Sequence, residues 1–139
     1  MVRISEIIKV DSKGRITIPQ TIREALNVEP GMLMALIADL DKKEIIVNPI
    51  TTRGESIYEF DLYLIDKPGS LAKVTSVIAN YKADIVASKC ASIARGEEAN
   101  CVLIVDMSTA SIDAESLKKE LENLDVVIQV RTKRFEGRY

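Results

Sequence analysis

The sequence predicts an α+β chain of two small domains, and three observations carry that reading. Residues 57–135 run strand, helix, strand, strand, helix, strand. Residues 1–50 read instead as short strands around one short helix. Between them Asn48–Ser56, NPITTRGES, replaces the apolar pattern with Pro, Gly and small polar residues, as a linker does. The domains are therefore placed at 1–50 and 57–135, with the linker at 51–56.

In the first domain Ile4, Ile8 and Val10 share one parity, and Ile16 and Ile18 follow the turn Asp11–Gly14. This is period-2 strand spacing on either side of a hairpin-like connection. Pro19 suits the first turn of a short helix, where a missing N–H costs nothing. Ile22 and Leu26 mark that helix's apolar side. Glu29-Pro30-Gly31-Met32 reads as a type II turn, with Pro second and Gly third. Strands are expected at Met32–Ala38 and Glu44–Val47, joined at Asp39–Lys43. So small a β-rich unit buries too little surface to stand comfortably alone, and a second copy would supply the missing half of its core.

In the second domain Tyr58, Phe60, Leu62 and Leu64 share one strand face, with Glu59 and Asp61 opposite. Ser70 is a good N-cap for a helix striped by Leu71, Val74, Ile78 and Tyr81. Ile85–Ile93 and Cys101–Met107 read as strands joined through Arg95-Gly96-Glu97-Glu98. Ser111 is expected to cap a second helix carrying Leu117, Leu121 and Leu124, and Val126–Val130 is the last strand. The order β-α-β-β-α-β is the ferredoxin-like arrangement, an antiparallel sheet with both helices on one face.

Composition narrows function before any motif does. The 139 residues are 47% hydrophobic and 29% charged, as expected of a soluble globular chain. There is no His, which excludes Ser–His and Cys–His nucleophile pairs, an imidazole base and His-containing zinc sites. Two Cys make no metal-ligand pattern. We therefore expect a binding protein without enzymatic activity, metal or cofactor. The longest apolar stretch, Met32–Ala38, is too short to cross a bilayer, and residues 1–20 lack a signal-peptide core. A cytoplasmic protein is expected.

The formal net charge is −2, yet Lys9, Lys13, Arg15 and Arg23 face only Asp11 within residues 9–23. Phosphate binding depends on a local patch, so these four are candidate contacts to double-stranded DNA. Strand parity sends Arg15 and Thr17 away from Ile16 and Ile18, and Lys9 away from Ile8 and Val10. A solvated strand face would look the same on spacing alone.

The run Val10-Asp11-Ser12-Lys13-Gly14-Arg15-Ile16-Thr17-Ile18-Pro19, continued by Ile22-Arg23-Glu24-Ala25-Leu26 and Pro30-Gly31, closely resembles the AbrB/SpoVT swapped-hairpin DNA-binding domain. The resemblance covers about residues 5–50. It implies a β-barrel-like dimer in which two chains exchange hairpins, as in transition-state regulators and MazE-like antitoxins. By motif position Lys9, Arg15 and Arg23 match that family's DNA contacts. Ile8 and Glu24 stand where some members carry basic residues.

Asp66-Lys67-Pro68-Gly69-Ser70-Leu71 leads into the first helix of the second domain. Gly69 would let a ligand approach the backbone, and the N–H groups opening a helix attract anions such as a carboxylate. Asp66, with Asp84 expected at the same end of the sheet, would suit the ammonium of a zwitterion. A plain turn with two solvated aspartates is the alternative. Leu64–Val74 followed by Ala83-Asp84-Ile85 resembles an ACT domain, the amino-acid-sensing module of many enzymes and regulators. That resemblance covers roughly 57–134 and implies a small effector, an amino acid, held by the 66–71 loop and by Asp84, where many members have Asn.

Cys90 and Cys101 are expected opposite one another on adjacent strands. A disulfide is geometrically open to them, but reduced, buried thiols are the expectation in a cytosolic protein. Together these readings describe a ligand-responsive, DNA-binding transcriptional regulator, a homodimer or higher homo-oligomer. The alternatives are a regulatory subunit of an amino-acid-biosynthetic enzyme, with the swapped hairpin used for assembly, and an antitoxin.

Overall fold

The structure is a computed structural model, and residues 2–50 and 56–136 are described. The linker read at 51–56 therefore lies outside the described residues except for Ser56. The chain divides into two compact units, Met1–Met32 and Leu33–Tyr139.

Among its described residues the first unit holds one regular element, α1 (Gln20–Ala25). Pro19 stands just before it as the N-cap, and its carbonyl accepts from Ile22 N at 3.0 Å and Arg23 N at 2.9 Å. The Asp11–Gly14 turn forms as the sequence predicts. Gly14 N donates to the Asp11 carbonyl at 3.0 Å, and Gly14 takes φ +77°, which glycine adopts without steric cost. Glu29–Met32 closes the expected type II turn, with Met32 N bonded to Glu29 O at 3.1 Å and Gly31 at φ +85°. The strands expected around Ile4–Val10 and Ile16–Ile18 are not formed in the single chain. Their apolar residues lie open, with Ile7 at 102% exposure, Val10 at 61% and Ile16 at 54%. A strand needs a hydrogen-bonding neighbour and a face to bury, and this unit alone offers neither.

The second unit begins with an antiparallel pair, β1 (Leu33–Asp39) and β2 (Glu44–Ile50). Then follow β3 (Ile57–Ile65), α2 (Ser70–Asn80), β4 (Asp84–Ala94), β5 (Glu98–Asp106), α3 (Ala114–Glu122) and β6 (Val127–Arg134). The last four strands form one antiparallel sheet in the order β4-β5-β3-β6, so the predicted βαββαβ arrangement is present. Phe60, Leu62 and Leu64 of β3 pack with Val74 and Ile78 of α2 and with Leu117 and Leu121 of α3 in one core. On the other sheet face, Ala35, Ile37 and Ile50 of the β1–β2 pair cluster with Ile57, Ala87 and Ile104. Residues read from sequence as part of the N-terminal domain thus pack as a third layer on this sheet. Alternation in β1 explains why: Ala35 and Ile37 point inward, while Leu36 points out at 61% exposure.

Three local expectations are corrected. Ser70 is the first helical residue of α2, and Gly69, at φ +89°, stands in the N-cap position. The α3 cap is Asp113, whose Oδ1 accepts from Ser116 N at 2.7 Å, while Ser111 Oγ instead donates to Tyr81 O at 3.2 Å. A carboxylate three residues before a free N–H is a stronger acceptor than a hydroxyl five residues away. Cys90 and Cys101 do stand opposite one another, but they are joined in a disulfide rather than held as free thiols. Register brought the sulfurs into reach, whereas the expectation of reduced thiols rested on compartment and not on geometry.

Candidate functional site

In the Met1–Met32 unit, the candidate DNA contacts gather around one turn and the helix after it. Asp11 builds that turn: its Oδ1 accepts from Lys13 N and Arg15 N, both at 2.9 Å. Its Oδ2 accepts from Arg15 Nε at 2.8 Å. These bonds hold the Asp11 carboxyl below its ordinary value, the Arg15 backbone N–H being the largest cause. Lys13 and Arg15 are thereby fixed on the flanks of a tight, exposed turn, and Lys9 lies exposed two residues before it. Arg23, on α1, is half-buried and donates to the Ile18 carbonyl. Thr21 Oγ1 donates to Glu6 Oε1 at 2.8 Å, tying α1 to the N-terminal segment. Val2, Ile4, Ile22, Ala25 and Leu26 line an open apolar cleft of about 470 Å³ there.

In the larger unit, the 66–71 loop is organised by Asp66. Its Oδ2 accepts from Ser92 Oγ at 2.5 Å and from Gly96 N at 2.9 Å, pinning the β4–β5 turn to the end of β3. The Ser92 hydroxyl and the Gly96 N–H hold the Asp66 carboxyl below its ordinary value. Asp66 is therefore engaged within the fold, which the sequence did not suggest. Ser70 N donates to Lys67 O at 3.2 Å and Lys73 N to Gly69 O at 3.1 Å, which leaves Leu71 and Ala72 to open α2 with N–H groups that lack an i−4 carbonyl. Ser70 is 4% exposed, and its Oγ has no hydrogen-bond partner among the described residues. Lys67, Pro68 and Gly69 are exposed around it.

Asp84 does not join this loop. Asp84 pairs with Asp106, which pairs in turn with Ile57 at the start of β3, whereas Asp66 follows Ile65 at its end. The two carboxylates thus lie at opposite ends of a nine-residue strand, about 26 Å along its direction. The expectation that they share one end of the sheet is corrected: a helix that runs back along the sheet returns the chain to the far end before the next strand starts.

Residues 7–55 match the family model of the antidote-toxin recognition protein MazE, a bacterial antitoxin. The match takes in the Asp11–Arg15 turn, α1, β1 and β2. No curated protein matches the chain. Among solved structures, it is similar to a homoserine dehydrogenase from Thiobacillus denitrificans at 24% identity and TM-score 0.47, over 61% of this chain and 19% of that one. The chain thus spans about a fifth of the dehydrogenase's length. It is also similar to the C-terminal domain of the MgtC protein from Mycobacterium tuberculosis at 13% identity and TM-score 0.47, over 63% of this chain and 96% of that one. Among the described residues no helix is long and apolar enough to cross a membrane, and no group of side chains is arranged to hold a metal.

Proposed function

We propose that the chain is a cytoplasmic, non-enzymatic DNA-binding transcriptional regulator that works as a homodimer formed by exchange of the N-terminal hairpin. The observation that carries this reading is the unfinished state of residues 2–18. Their sequence alternates as strands, they bear the basic residues Lys9, Lys13 and Arg15, and their apolar side chains lie uncovered in one chain. The outer face of β1–β2 is uncovered too, with Leu36, Ile45 and Val47 at 61%, 66% and 40% exposure. A swapped dimer would bury both sets and close a barrel. The match of residues 7–55 to a MazE model supports the same reading. Doubling Lys9, Lys13, Arg15 and Arg23 in a dimer gives eight cations for phosphates.

The ACT-like segment would hold a small effector, an amino acid, with its carboxylate at the opening turn of α2 and Ser70 Oγ as an added donor. Asp66 then positions the loop rather than binding the ammonium, and Asp84 contributes nothing at that end. A ligand that prefers one arrangement of the paired domains would shift DNA affinity by its differential binding. The experiment is fluorescence anisotropy on duplexes from upstream of the protein's own gene, with and without a pool of amino acids. Ser70→Ala should keep DNA binding and lose the amino-acid shift; a retained shift removes Ser70 from the site. An antitoxin is the second reading, favoured by the family match itself; co-purification with a toxin protein would bring it forward. A regulatory subunit would instead co-purify with a biosynthetic enzyme and lack DNA affinity.

A further inference from the structure

A pocket of about 390 Å³ opens between the tip of the β1–β2 pair and the sheet face turned away from α2 and α3. It adjoins the 66–71 loop, because Ser92 of its lining donates to Asp66 Oδ2. Its wall is apolar, from Ile37, Ala91 and Val102, and its volume lies in the range of small-molecule sites. Its charged side chains are acidic on balance, Asp39 and Asp41 against Lys89, and the Ser92 hydroxyl in its wall is already spent on Asp66. Lys89, its one cation among the described residues, is already neutralised, with Nζ 3.3 Å from Glu44 Oε2 and 4.0 Å from Asp39 Oδ2. Asn100 spends its amide N–H groups on Asp61 Oδ1 at 2.6 Å and Leu62 O at 3.2 Å, which leaves its carbonyl oxygen as an acceptor. The Tyr63 hydroxyl and the Asp41 carboxylate also face it, and neither has a side-chain partner among the described residues.

We propose that this pocket binds a small primary amine with an apolar body. Free acceptors beside donors that are mostly spent recognise a donor-rich head group, and an ammonium offers three N–H bonds and the counter-charge that the Asp41 carboxylate lacks. The apolar wall takes the rest of the ligand. A free amino acid fits less well, because its carboxylate would meet Asp39 and Asp41 while Lys89 is already paired. Asp39 is fixed in place for this arrangement, since its Oδ1 accepts from Asp41 N at 3.1 Å and Lys42 N at 3.0 Å. This proposal stands apart from the regulator reading and survives its failure.

The test is a ¹⁵N–¹H NMR titration of the full chain with 2-phenylethylammonium, its neutral isostere 2-phenylethanol, and L-phenylalanine. The amine should give saturable shifts centred on Lys89, Ala91, Asn100 and Val102. The alcohol and the amino acid should bind at least about tenfold more weakly, as expected when a charge-assisted bond is lost. Asp41→Asn should weaken the amine by a similar factor, and Ala91→Leu, which fills the pocket, should abolish its shifts. The proposal is overturned by amine shifts centred elsewhere, by equal or tighter binding of the alcohol or L-phenylalanine, or by variants that bind like the natural chain. Absence of saturable shifts up to about 10 mM, the weak end for so small a ligand, overturns it as well.

Discussion

Ile16→Ala separates the hairpin-exchanged dimer from a chain that works alone. The substitution removes three carbons, worth about 2.4 kcal/mol if they are fully buried. In the single chain Ile16 is 54% exposed, so a little under half of that, about 1.1 kcal/mol, is already at stake without a partner. The remaining ~1.3 kcal/mol per copy belongs to assembly if exchange buries the side chain. Two copies per dimer give about 2.6 kcal/mol, which raises the dimer Kd about 80-fold. Sedimentation equilibrium over a dilution series of the two proteins reads that ratio directly. A Kd unchanged within about twofold, with α2 and α3 intact by circular dichroism, would refute burial of Ile16 between chains.

Arg15→Ala should weaken binding about evenly across DNA sequences and flatten its salt dependence, since a phosphate contact carries no base information; a loss confined to one sequence would place Arg15 on a base edge. Asp113→Ala removes the α3 cap and should cost about 1 kcal/mol in urea unfolding, and a change under a few tenths would deny the cap that role. Asp66 and Asp113 are both held below the ordinary carboxylate value, by Ser92 and Ser116 respectively. Each therefore stabilises the fold fully above the unfolded value of about 3.9 and loses that contribution as pH falls toward the folded value. Unfolding midpoints at pH 5 and at pH 3 should differ less in Asp66→Asn than in the natural chain. The Cys90–Cys101 bond closes 11 residues of separation, so reduction should lower stability by about 3 kcal/mol or less; two titratable thiols in the air-oxidised protein would contradict the bond.

Much of the larger unit was legible in sequence because its elements carry their own signals. Tyr58, Phe60, Leu62 and Leu64 alternate, Leu117 and Leu121 repeat at helical spacing, and both periods survive in the core. The register at Cys90 and Cys101 was also legible, although the hairpin shifts by one residue between Ser92 and Ala94. Where the reading failed, the deciding interaction was tertiary. Asp66 looked like a free carboxylate, and only the fold brings Ser92 and Gly96 to it. Asp84 opens the next strand as expected, but the direction of α2 puts that strand's start at the other end of the sheet from Asp66. The outward Leu36 and inward Ile37 give β1 two apolar faces, so sequence alone could not say which surface it would cover. The strands of residues 4–18 were read from periodicity, and periodicity is silent on whether their neighbours belong to the same chain.

The most direct test of the central claim is the salt dependence of binding to a duplex from upstream of the protein's own gene. Fluorescence anisotropy of the full chain, titrated at several salt concentrations, gives the slope of log K against log salt. A hairpin-exchanged dimer that sets cations from two copies on the phosphates predicts a steep negative slope, about −0.9 for each phosphate neutralised. It also predicts specific affinity well above the non-specific range of about 10⁻⁴–10⁻⁶ M. A slope near −1, or affinity no tighter than that range on any upstream duplex, would contradict a dimeric DNA-binding regulator.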